Sequence, residues 1–520
     1  MKKNLFILLS LMILTSCFNN LKSEINNQSF ESLKEEAVTY NAEVFSNEVS
    51  TVYNIFPIAY ADSDGDGLGD LNGIINKIAY LKELGIDAVW LNPINSSNSY
   101  HKYDVKDYYQ VDSDFGTNDD LKSLIKELHE NDIKLILDMV FNHTSFDHPW
   151  FQKALDGDEK YQEYYRIVDD LSDYPSKDGW YQINDKYYYA SFWDQMPEVN
   201  VNNPDVVNEF EDILKYYIDL GVDGFRYDAA KHIVDRNEVE IGEKVLEDNL
   251  NFWYKLKNYV KTIDPSIFLV AEVWDSQNAI APYTTAFDSC FNFDFGSQVI
   301  NIISNRGQNN FIENHNKYLD LMEKKNPNFI DSPFLTNHDQ NRIASSLTNV
   351  NQLKLAATLL LSQNGLPFIY YGEEIGMVGS KPDELIREPM IFKDDFQSHY
   401  EAIMLNNEID SVSQQLNDKD SLLNFYSEMI KIRKEYPSLK TEKLQQIQLH
   451  NSALLAYHNS DLTFILNLNS NQTSGDFTKE LKPILQVGEY QLDENKITLD
   501  PYGIVVSKNQ KGEYDESSSN

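Results

Sequence analysis

Eight short apolar runs alternate with segments of helical periodicity, and this alternation is the feature that most constrains the fold. The runs are rich in Val, Ile, Leu and Phe, as is typical of buried parallel strands. They lie at Val52–Tyr60, Ala88–Pro93, Lys134–Phe141, Gly224–Ala229, Ile267–Trp274, Phe287–Phe295, Phe334–Asp339 and Pro367–Glu373. Helical periodicity fills most gaps, at Leu71–Gly85, Asn118–Asn131, Pro204–Gly221, Val245–Thr262 and Asn351–Ser362. Eight strands separated by helices predict an α/β fold, a (β/α)8 TIM barrel.

Other segments interrupt or follow the predicted barrel, which takes residues 51–142 and 202–439. Residues 143–201 form a long insertion after the third strand, and an insertion of this length predicts a functional element or a small inserted domain. Residues 440–508 contain two apolar runs separated by an Asn-Ser-Asp turn, which predicts a C-terminal antiparallel β domain. Residues 509–520 form a polar tail.

The N-terminus has the features of a bacterial export signal. Two lysines precede ten mostly apolar residues, Leu5–Leu14, a run too short to span a bilayer but suited to a signal peptide. Small residues before Cys17 resemble a lipobox, which implies that residues 1–16 are removed and that Cys17 is lipidated. An ordinary signal peptide with an incidental cysteine is the alternative.

A lipid on Cys17 would place the protein at the cell surface or in the periplasm, attached to a bacterial membrane. If the host has two membranes, the outer one is the better expectation, because Phe18 is not an inner-membrane retention signal of the Asp type. Residues 17–50 are rich in Asn, Ser and Glu, and we expect them to form a flexible tether.

The charge of the chain restricts its partners. It carries 44 Lys+Arg and 82 Asp+Glu, a formal net charge of −38. Such a protein repels phosphate backbones, so nucleic acid is excluded as a partner, whereas a neutral, hydroxyl-rich substrate meets no such barrier. Cys290 is the one cysteine besides Cys17, so no intrachain disulfide is expected. We expect a monomer.

Three acidic residues, Asp228, Glu272 and Asp339, each follow an apolar run. Side chains at the C-terminal ends of barrel strands converge on one pocket, where three carboxylates repel each other, so their convergence points to chemistry. Carboxylate pairs with Arg and His nearby indicate glycosidic bond cleavage. Arg226 lies two residues before Asp228 and points to the same side of its strand, where its charge would keep that carboxylate ionised.

Four motifs at these strand ends resemble those of the α-amylase family, glycoside hydrolase family 13, and the resemblance extends over about residues 51–507. The motifs are Asp138–His143, Gly224–His232, Glu272–Trp274 and Asn337–Asp339. The resemblance implies a retaining mechanism with Asp228 as nucleophile, Glu272 as general acid/base and Asp339 steadying the distorted sugar. The neighbouring residues that it places against substrate are Tyr103, Asp104, His143, Arg226, Lys231, His232, His338 and Arg387.

Some of these assignments are more detailed. Tyr103 would stack on the sugar at the cleavage site, His143 and His338 would donate to sugar hydroxyls, and Arg387 would pair with Asp104. A simple rim salt bridge is the alternative for that last pair. The family often has a small residue where this chain has Lys102, which leaves the contacts of that loop open.

An acidic loop follows the first predicted strand. Hard oxygen ligands on a Gly-rich loop suit Ca²⁺, and carboxylates recur at alternate positions from Asp62 to Asp70. The bidentate acid of an EF-hand is missing, because position 12 would be Gly73. The loop resembles instead the calcium loop of oligo-1,6-glucosidases, and the ligands that this implies are Asp62, Asp64, Asp66, Leu68 and Asp70. A solvated loop is the alternative.

A second calcium ion is implied by the resemblance to α-amylases. It would be held by Asn142, an acid of the insertion and the carbonyl of His232. Met196–Asn200 resembles the motif that supplies the acid, with Glu198 in place of the usual Asp, and this longer side chain leaves the site open.

Different parts of the chain indicate different specificities. Lys231-His232 resembles α-1,4-acting amylases, whereas the acidic loop and Arg387 resemble oligo-1,6-glucosidases, so the chain resembles an intermediate group. We expect hydrolysis of α-1,4 bonds in starch or maltooligosaccharides. A 4-α-glucanotransferase and an α-glucosidase or oligo-1,6-glucosidase are enzyme alternatives, and a surface glycan-binding lipoprotein without activity is a non-enzyme alternative.

Overall fold

The computed structural model describes residues 21, 22, 24, 25, 28–40, 43–240, 244–308, 310–400 and 405–510. Cys17, the predicted signal peptide and residues 511–520 of the polar tail lie outside the described residues. Within the described part of the chain, no helix is long and apolar enough to cross a membrane.

The strands, numbered in chain order, are β1 Val52–Ile55, β2 Ala88–Leu91, β3 Asn95–Ser97, β4 Val105–Val111, β5 Lys134–Met139, β6 Ile167–Val168, β7 Trp180–Ile183, β8 Lys186–Tyr189, β9 Gly224–Tyr227, β10 Phe268–Ala271, β11 Ser289–Asn292, β12 Ile330–Pro333, β13 Phe368–Tyr370, β14 Gln445–Ile447, β15 Leu454–His458, β16 Leu462–Asn467, β17 Thr473–Asp476, β18 Pro483–Val487, β19 Tyr490–Asp493, β20 Lys496–Leu499 and β21 Ile504–Lys508.

The α-helices, numbered likewise, are α1 Phe30–Ala37, α2 Glu43–Glu48, α3 Leu71–Asn76, α4 Ile78–Leu84, α5 Asn118–Glu130, α6 Pro149–Leu155, α7 Glu159–Gln162, α8 Pro204–Leu220, α9 Val245–Ile263, α10 Gln277–Ile280, α11 Phe293–Ser304, α12 Phe311–Glu323, α13 Ile343–Ser346, α14 Val350–Leu361, α15 Asp383–Ile386, α16 Val412–Leu416, α17 Leu422–Glu435 and α18 Ser438–Thr441. Short 3₁₀ turns lie at Pro57–Ala59, Ala230–His232 and Tyr283–Thr285.

Eight parallel strands form the barrel, in the order β12-β11-β10-β9-β5-β2-β1-β13. A parallel bridge between Phe334 and Phe368 joins the two ends of this order and closes the ring. The predicted TIM barrel is therefore confirmed. Because the carboxyl ends of all eight strands open on the same face, the residues that follow them share one site.

The seventh strand differs from its prediction. The strand is β12, Ile330–Pro333, and the predicted run Phe334–Asp339 follows it as a loop of which Phe334 makes the closing bridge. Asp331 and Ser332 of β12 are buried, and the Ser332 hydroxyl is 2.6 Å from that of Ser289 on β11. Because these buried positions are polar, the strand does not appear in the sequence as an apolar run.

Local signals explain why the helices begin and end where they do. The Thr117 side chain accepts from the amide of Asp120, whose carboxylate accepts from the amide of Thr117, so a capping box starts α5. Gly221 ends α8 in the left-handed conformation, with φ of 99°, which favours glycine. Because the helices begin and end at defined residues, each returns the chain to the sheet and the loops stay at one face.

Aromatic and aliphatic side chains fill the interior of the barrel. They form one buried cluster with contributions from most barrel strands: Val52, Ala88, Trp90, Ile136, Phe268, Val270, Phe291, Phe334 and Phe368. Phe45 and Val49, which precede β1, belong to the same cluster, and the Phe45 ring stacks on Phe268 with centroids 4.6 Å apart. Phe268 is the first residue of β10, so Phe45 plugs the N-terminal end of the barrel.

The predicted tether, residues 17–50, is in part folded. Helix α1 buries Leu33 and Ala37, and its Phe30 ring lies 5.5 Å from that of Tyr254 on α9. The Ser29 side chain caps this helix by accepting from the amide of Ser32. A tether is the wrong description for the described residues of this segment, because Ile25 is buried, Lys22 donates to Asp212 at 2.6 Å, and the apolar stripe of α1 docks that helix.

Two smaller groups of strands flank the barrel. Residues 445–508 form a five-stranded sheet, β14-β15-β16-β21-β18, and a three-stranded sheet, β17-β20-β19, both antiparallel. The predicted C-terminal antiparallel β structure is confirmed. Within the insertion at 143–201, β6, β8 and β7 form a small antiparallel sheet beside α6 and α7.

Candidate active site

Backbone hydrogen bonds beyond the strand ends hold Asp228 and Glu272. The amide of Asp228 donates to the carbonyl of Met139 at 3.0 Å, and the amide of Glu272 donates to the carbonyl of Tyr227 at 3.0 Å. These bonds continue the ladder between β5, β9 and β10 by one residue. Each carboxylate therefore starts from a rigid strand end and not from a mobile loop.

Arg226 is the centre of the charge network at these strand ends. Its Nη1 donates to Asp138 Oδ1 and Asp228 Oδ1, both at 2.7 Å, and its Nη2 donates to Glu272 Oε2 at 2.7 Å. The Arg226 side chain is fully buried. One guanidinium thus holds three carboxylates in a fixed arrangement, which a flexible lysine would not do.

The electrostatics separate the carboxylates of the site. Burial raises the pKa of Glu272 to about 7 against the opposing charge of Arg226, and the charges of Asp228 and Asp339 add to the rise. Burial also raises the pKa of Asp228, to about 6, again against Arg226. Between these values, Asp228 is mostly ionised while Glu272 mostly keeps its proton.

Asp339 also lines the pocket, and its neighbours favour its charged form. Arg387 Nη2 donates to Asp339 Oδ1 at 2.9 Å, and His338 Nε2 lies 3.1 Å from Asp339 Oδ2. Burial lowers the pKa of His338 to about 3, so its ring is neutral at pH 7. Burial alone would raise the pKa of Asp339, but the neighbouring positive charge, which Arg387 supplies at pH 7, lowers it.

The predicted pairing of Arg387 with Asp104 is not what the structure contains. Besides Asp339, Arg387 donates to Asp383 at 3.2 Å and to the Tyr100 hydroxyl at 2.8 Å. The buried Asp104 carboxylate accepts instead from the Ser97 and Ser99 hydroxyls and from nearby amides. Hydroxyls seven and five residues away satisfy Asp104 locally, so it braces its own loop.

Lys102 is turned away from the pocket. Its Nζ lies 3.1 Å from Asp112 and 2.7 Å from Asp114, and its backbone φ is 63°. The open question about this loop is thereby answered, because the lysine pairs behind the loop while Tyr103 lines the cavity.

Tyr103 and the two predicted histidines lie at or beneath the cavity floor. The Tyr103 ring stacks on His338 with centroids 5.7 Å apart, and its hydroxyl is 2.7 Å from His338 Nε2. His143 lines the cavity, and its buried Nε2 has no hydrogen-bond partner among the described residues. Burial lowers the pKa of His143 to about 4, so a neutral ring offers this nitrogen to a ligand.

Lys231 and His232 occupy different places. His232 lines the cavity and its Nδ1 is 3.0 Å from Asp235. Lys231 Nζ donates to Asp275 at 2.9 Å and to the carbonyl of Trp274 at 3.3 Å. Lys231 is not among the residues that line the described cavity, so its contact with a leaving group stays a prediction.

The cavity has a volume of about 670 Å³, and both charged and aromatic side chains line it. Several lining residues were not singled out from the sequence: Tyr100, His101, Phe192, Trp193, Met196, Trp274, Lys381, Asp383 and Glu384. Asp138, which pairs with Arg226, was quoted within a motif without a role. The signal for it was an acidic residue within the otherwise apolar predicted strand Lys134–Phe141. The loop residues carried no comparable signal.

The acidic loop brings three of its predicted ligands together. Carboxylate oxygens of Asp62, Asp64 and Asp70 lie within 4.8 Å of one another, and this group does not include Asp66. Asp62 accepts from the amides of Asp64, Gly65 and Gly67 at 3.1, 2.7 and 2.8 Å, which folds the loop around its carboxylate. The oxygen donors fit a hard divalent cation.

The residues of the second predicted calcium site also leave oxygens without partners. Asn142 Oδ1 and Glu198 Oε2 are buried and have no hydrogen-bond partner among the described residues. Glu198 Oε1 accepts from the amide of Ser191 at 2.8 Å. These two orphaned oxygens are the donors that the resemblance offers to a cation.

Comparisons with known proteins agree with this geometry. The family model described as the α-amylase catalytic domain matches residues 54–442. Alpha-amylase 3 of Dictyoglomus thermophilum is 39% identical over 485 residues, which cover 90% of this chain and 94% of that protein. A 4-alpha-glucanotransferase of Thermotoga maritima is 32% identical over 413 residues, 76% of this chain and 89% of that protein.

A solved structure gives the same picture. The α-amylase from H. orenii superposes with a TM-score of 0.82 at 35% identity, covering 89% of this chain and all of that one. The chain belongs to the α-amylase family and is a glycosidase of that family. The predicted resemblance to glycoside hydrolase family 13 is confirmed.

Proposed function

We propose that this protein hydrolyses α-1,4-glucosidic bonds of starch or maltooligosaccharides with retention of configuration. The observation that carries the proposal is the single guanidinium of Arg226, which holds Asp228 and Glu272 side by side in a cavity that Asp339 also lines. Two neighbouring carboxylates with different pKa values are what a retaining glycosidase requires.

In the first step, Asp228 attacks the anomeric carbon and Glu272 protonates the departing oxygen. Arg226 occupies Asp228 Oδ1, so Oδ2 is the attacking oxygen. Arg226 and the amide of Ala229 both donate to Glu272 Oε2, the latter at 3.0 Å, so Oε1 carries the transferable proton. In the second step, Glu272 takes a proton from water, which attacks the same carbon and releases Asp228.

Asp339 and His143 are proposed to hold the sugar between these groups. Asp339 accepts from two sugar hydroxyls once substrate displaces its contact with Arg387, and His143 uses its unpartnered Nε2 for a third. Tyr103 supplies the flat surface beneath the ring. Contacts that strengthen as the ring flattens favour the transition state over the ground state.

The relatives support the main proposal and its alternatives. The first relative above is named an α-amylase and the second a 4-alpha-glucanotransferase, and the same three carboxylates serve either reaction. An α-glucosidase or oligo-1,6-glucosidase would need one end of the cavity closed. A binding protein without activity is disfavoured because Asp228, Glu272 and Asp339 all line the cavity.

We further propose a Ca²⁺ ion on the acidic loop, held by Asp62, Asp64 and Asp70 with Leu68 offering its carbonyl. The ion would neutralise clustered charge and brace the turn between β1 and α3. The support is the convergence of the three carboxylates. A monomer that Cys17 anchors to a bacterial membrane, at the cell surface or in the periplasm, completes the proposal, on the sequence signals alone.

Glu272→Gln tests the central assignment. The amide cannot donate a proton to a departing oxygen, so kcat on maltoheptaose should fall about 10²- to 10⁴-fold. Binding of maltoheptaose, measured by calorimetry on the folded variant, should persist. Glu313→Gln, on the exposed face of α12, is a matched control away from the site. Equal kcat in wild type and Glu272→Gln would refute the acid/base role.

A further inference from the structure

Two buried amide side chains lie in a chain of hydrogen bonds that ends on His338. Asn54 is on β1 and Asn92 directly follows β2; both residues are 1% exposed, and His338 is fully buried. The main-chain amide of Asn92 donates to the carbonyl of Ile55 at 3.0 Å, which extends the ladder between the two strands and holds Asn92 in place. Buried polar groups need hydrogen-bond partners, so the partners of each amide determine which of its atoms faces which neighbour.

The orientation of the Asn54 side chain follows from a main-chain carbonyl. Its Nδ2 donates to the carbonyl of Trp90 at 3.2 Å and to Asn92 Oδ1 at 3.0 Å, so both hydrogens of this amide are used. Turned over, Asn54 would set its Oδ1 against that carbonyl, and two acceptors would face each other. Asn54 therefore presents a donor to Asn92.

Asn92 then presents its own nitrogen to the active site. Its Oδ1 accepts from Asn54, and its Nδ2 lies 3.0 Å from the Tyr103 hydroxyl oxygen and 3.2 Å from His338 Nδ1. An amide nitrogen can only donate, so His338 Nδ1 accepts and carries no proton. Because burial lowers the pKa of His338 to about 3, the ring is neutral at pH 7 and its one exchangeable proton lies on Nε2.

His338 Nε2 therefore faces its neighbours as a donor. It lies 2.7 Å from the Tyr103 hydroxyl oxygen and 3.1 Å from Asp339 Oδ2. Both of these residues line the cavity, and Arg387 donates to the other oxygen of Asp339. Each oxygen of the Asp339 carboxylate thus faces a donor of its own, which fixes the direction of the carboxylate.

We propose that Asn92 is a positioning residue of the active site, which holds the proton of His338 on Nε2 and through it aims Asp339. The inference rests on the proposed function, in which Asp339 holds the sugar, and adds a residue that is not among those lining the described cavity. With the proton on Nδ1, a lone pair of Nε2 would face Asp339 Oδ2 at 3.1 Å. Repulsion between these two acceptors would turn the carboxylate away from its direction.

Asn92→Asp reverses the group that faces His338. A carboxylate has nearly the shape of the amide but only accepts, so it can still bond to Asn54 while it draws the histidine proton to Nδ1. We expect kcat/KM on maltoheptaose to fall about 10- to 100-fold, as for the loss of a partner that orients a metal-binding histidine. The larger share should lie in kcat, because Asp339 acts most strongly on the distorted sugar.

Magnetic resonance reports the position of the proton directly. Solid-state nitrogen–carbon correlation spectra of protein with labelled histidine distinguish the two tautomers of a ring. The chain has 10 histidines, and the spectrum of His338→Gln identifies the signals of His338 by their loss. At pH 7 without substrate, the wild type should carry the proton on Nε2, and Asn92→Asp should carry one on Nδ1.

Asn467→Asp is the matched control for an acid introduced at a buried asparagine. Asn467 is fully buried on β16, and its side chain bonds to main-chain groups, among them the carbonyl of Asn471 at 2.9 Å and the amide of Asn469 at 3.0 Å. This variant should keep the wild-type kcat/KM and the wild-type signals of His338. Circular dichroism of both variants confirms that the compared proteins are folded.

The outcomes keep this inference apart from the proposed function. Wild-type His338 with its proton on Nδ1 overturns the inference, and this measurement needs neither a variant nor a substrate. Asn92→Asp with the proton still on Nε2 also overturns it, as does a wild-type kcat/KM in Asn92→Asp after the proton has moved. A wild type that shows the expected tautomer but does not cleave maltoheptaose would instead overturn the proposed function.

Discussion

The two ends of the barrel bury their residues in opposite ways. At the carboxyl ends of the strands, Arg226 and the carboxylates around it form a buried charged network. At the amino ends, Phe45 and Val49 seal the ring with apolar contacts. Buried charge is costly unless it is paired, and at the carboxyl ends Arg226 pairs with three carboxylates at once.

Loss of Arg226 should have the largest effect. Arg226→Met leaves Asp138 buried without its partner, which should destabilise the protein by about 3–5 kcal/mol. It also releases Asp228 and Glu272, and we expect kcat to fall by about 10²- to 10³-fold or more. Denaturant unfolding and maltoheptaose hydrolysis measure the two effects.

Arg433→Met is the matched control for a buried arginine. Arg433 donates to backbone carbonyls, among them Ser50 at 2.8 Å and Leu361 at 3.0 Å, and pairs with no carboxylate of the site. Its loss should lower stability while the folded fraction keeps its kcat. An equal loss of kcat in both variants would contradict the division between the two ends.

Phe45→Ala should damage only the base of the barrel. Removing a buried aromatic ring destabilises by about 3–5 kcal/mol through the lost contacts and the cavity left behind. The site lies at the other end of the strands, so kcat below the melting temperature should match wild type. A changed pH optimum or kcat in Phe45→Ala would show that the two ends are coupled.

Calcium removal should weaken the rim near the site. An ion present at 100 times its Kd stabilises the folded state by about 2.7 kcal/mol, which chelation removes. A lower melting temperature in EDTA, restored by Ca²⁺ but not in Asp62→Asn, is the expected result. Equal melting curves with and without EDTA would contradict the calcium site and mean that the acidic loop is held by its own hydrogen bonds.

The pH profile should show the smallest change and the sharpest signature. Hydrolysis requires ionised Asp228, whose pKa is raised to about 6, and protonated Glu272, whose pKa is raised to about 7. Activity should therefore fall below pH 6 as Asp228 gains a proton and above pH 7 as Glu272 loses one. Each limb should approach about tenfold per pH unit in kcat/KM.

A profile that stays flat from pH 5 to 8 would contradict this assignment of the two carboxylates. Cleavage of α-maltosyl fluoride, measured as fluoride release, supplies a comparison, because fluoride leaves without acid assistance. Its release should keep the acidic limb and lose much of the alkaline one.

The strand-end residues were predictable and the loop residues were not. Asp228 and Glu272 follow apolar runs of regular strands, so their convergence follows from the barrel alone. Asp339 was predicted correctly although its strand was misplaced. The true strand, β12, was missed because it contains the buried polar residues Asp331 and Ser332. Arg387 and Asp339 are 48 residues apart in the sequence. No local pattern predicts which carboxylate an arginine on a long loop will pair with.

The same limit explains the N-terminal segment. Phe30, Leu33 and Ala37 are few apolar residues in a polar stretch, and composition hid the docking that their spacing allowed. Phe192 and Trp193 were also not predicted as site residues, because an exposed aromatic residue on an irregular insertion belongs to no periodic pattern. Both line the cavity, a position that only the folded structure reveals.

The packing of the N-terminal segment against the catalytic domain would limit the distance between that domain and a membrane anchor at Cys17. If Cys17 carries a lipid, few residues separate it from the domain, because Lys22 donates to Asp212 on α8 at 2.6 Å and Ile25 is buried. The five residues that follow Cys17 in the sequence, up to Lys22, can span at most about 18 Å. The domain would then sweep a shell only slightly thicker than its own radius. Such an enzyme meets short, diffusing oligosaccharides more readily than it reaches distant granules.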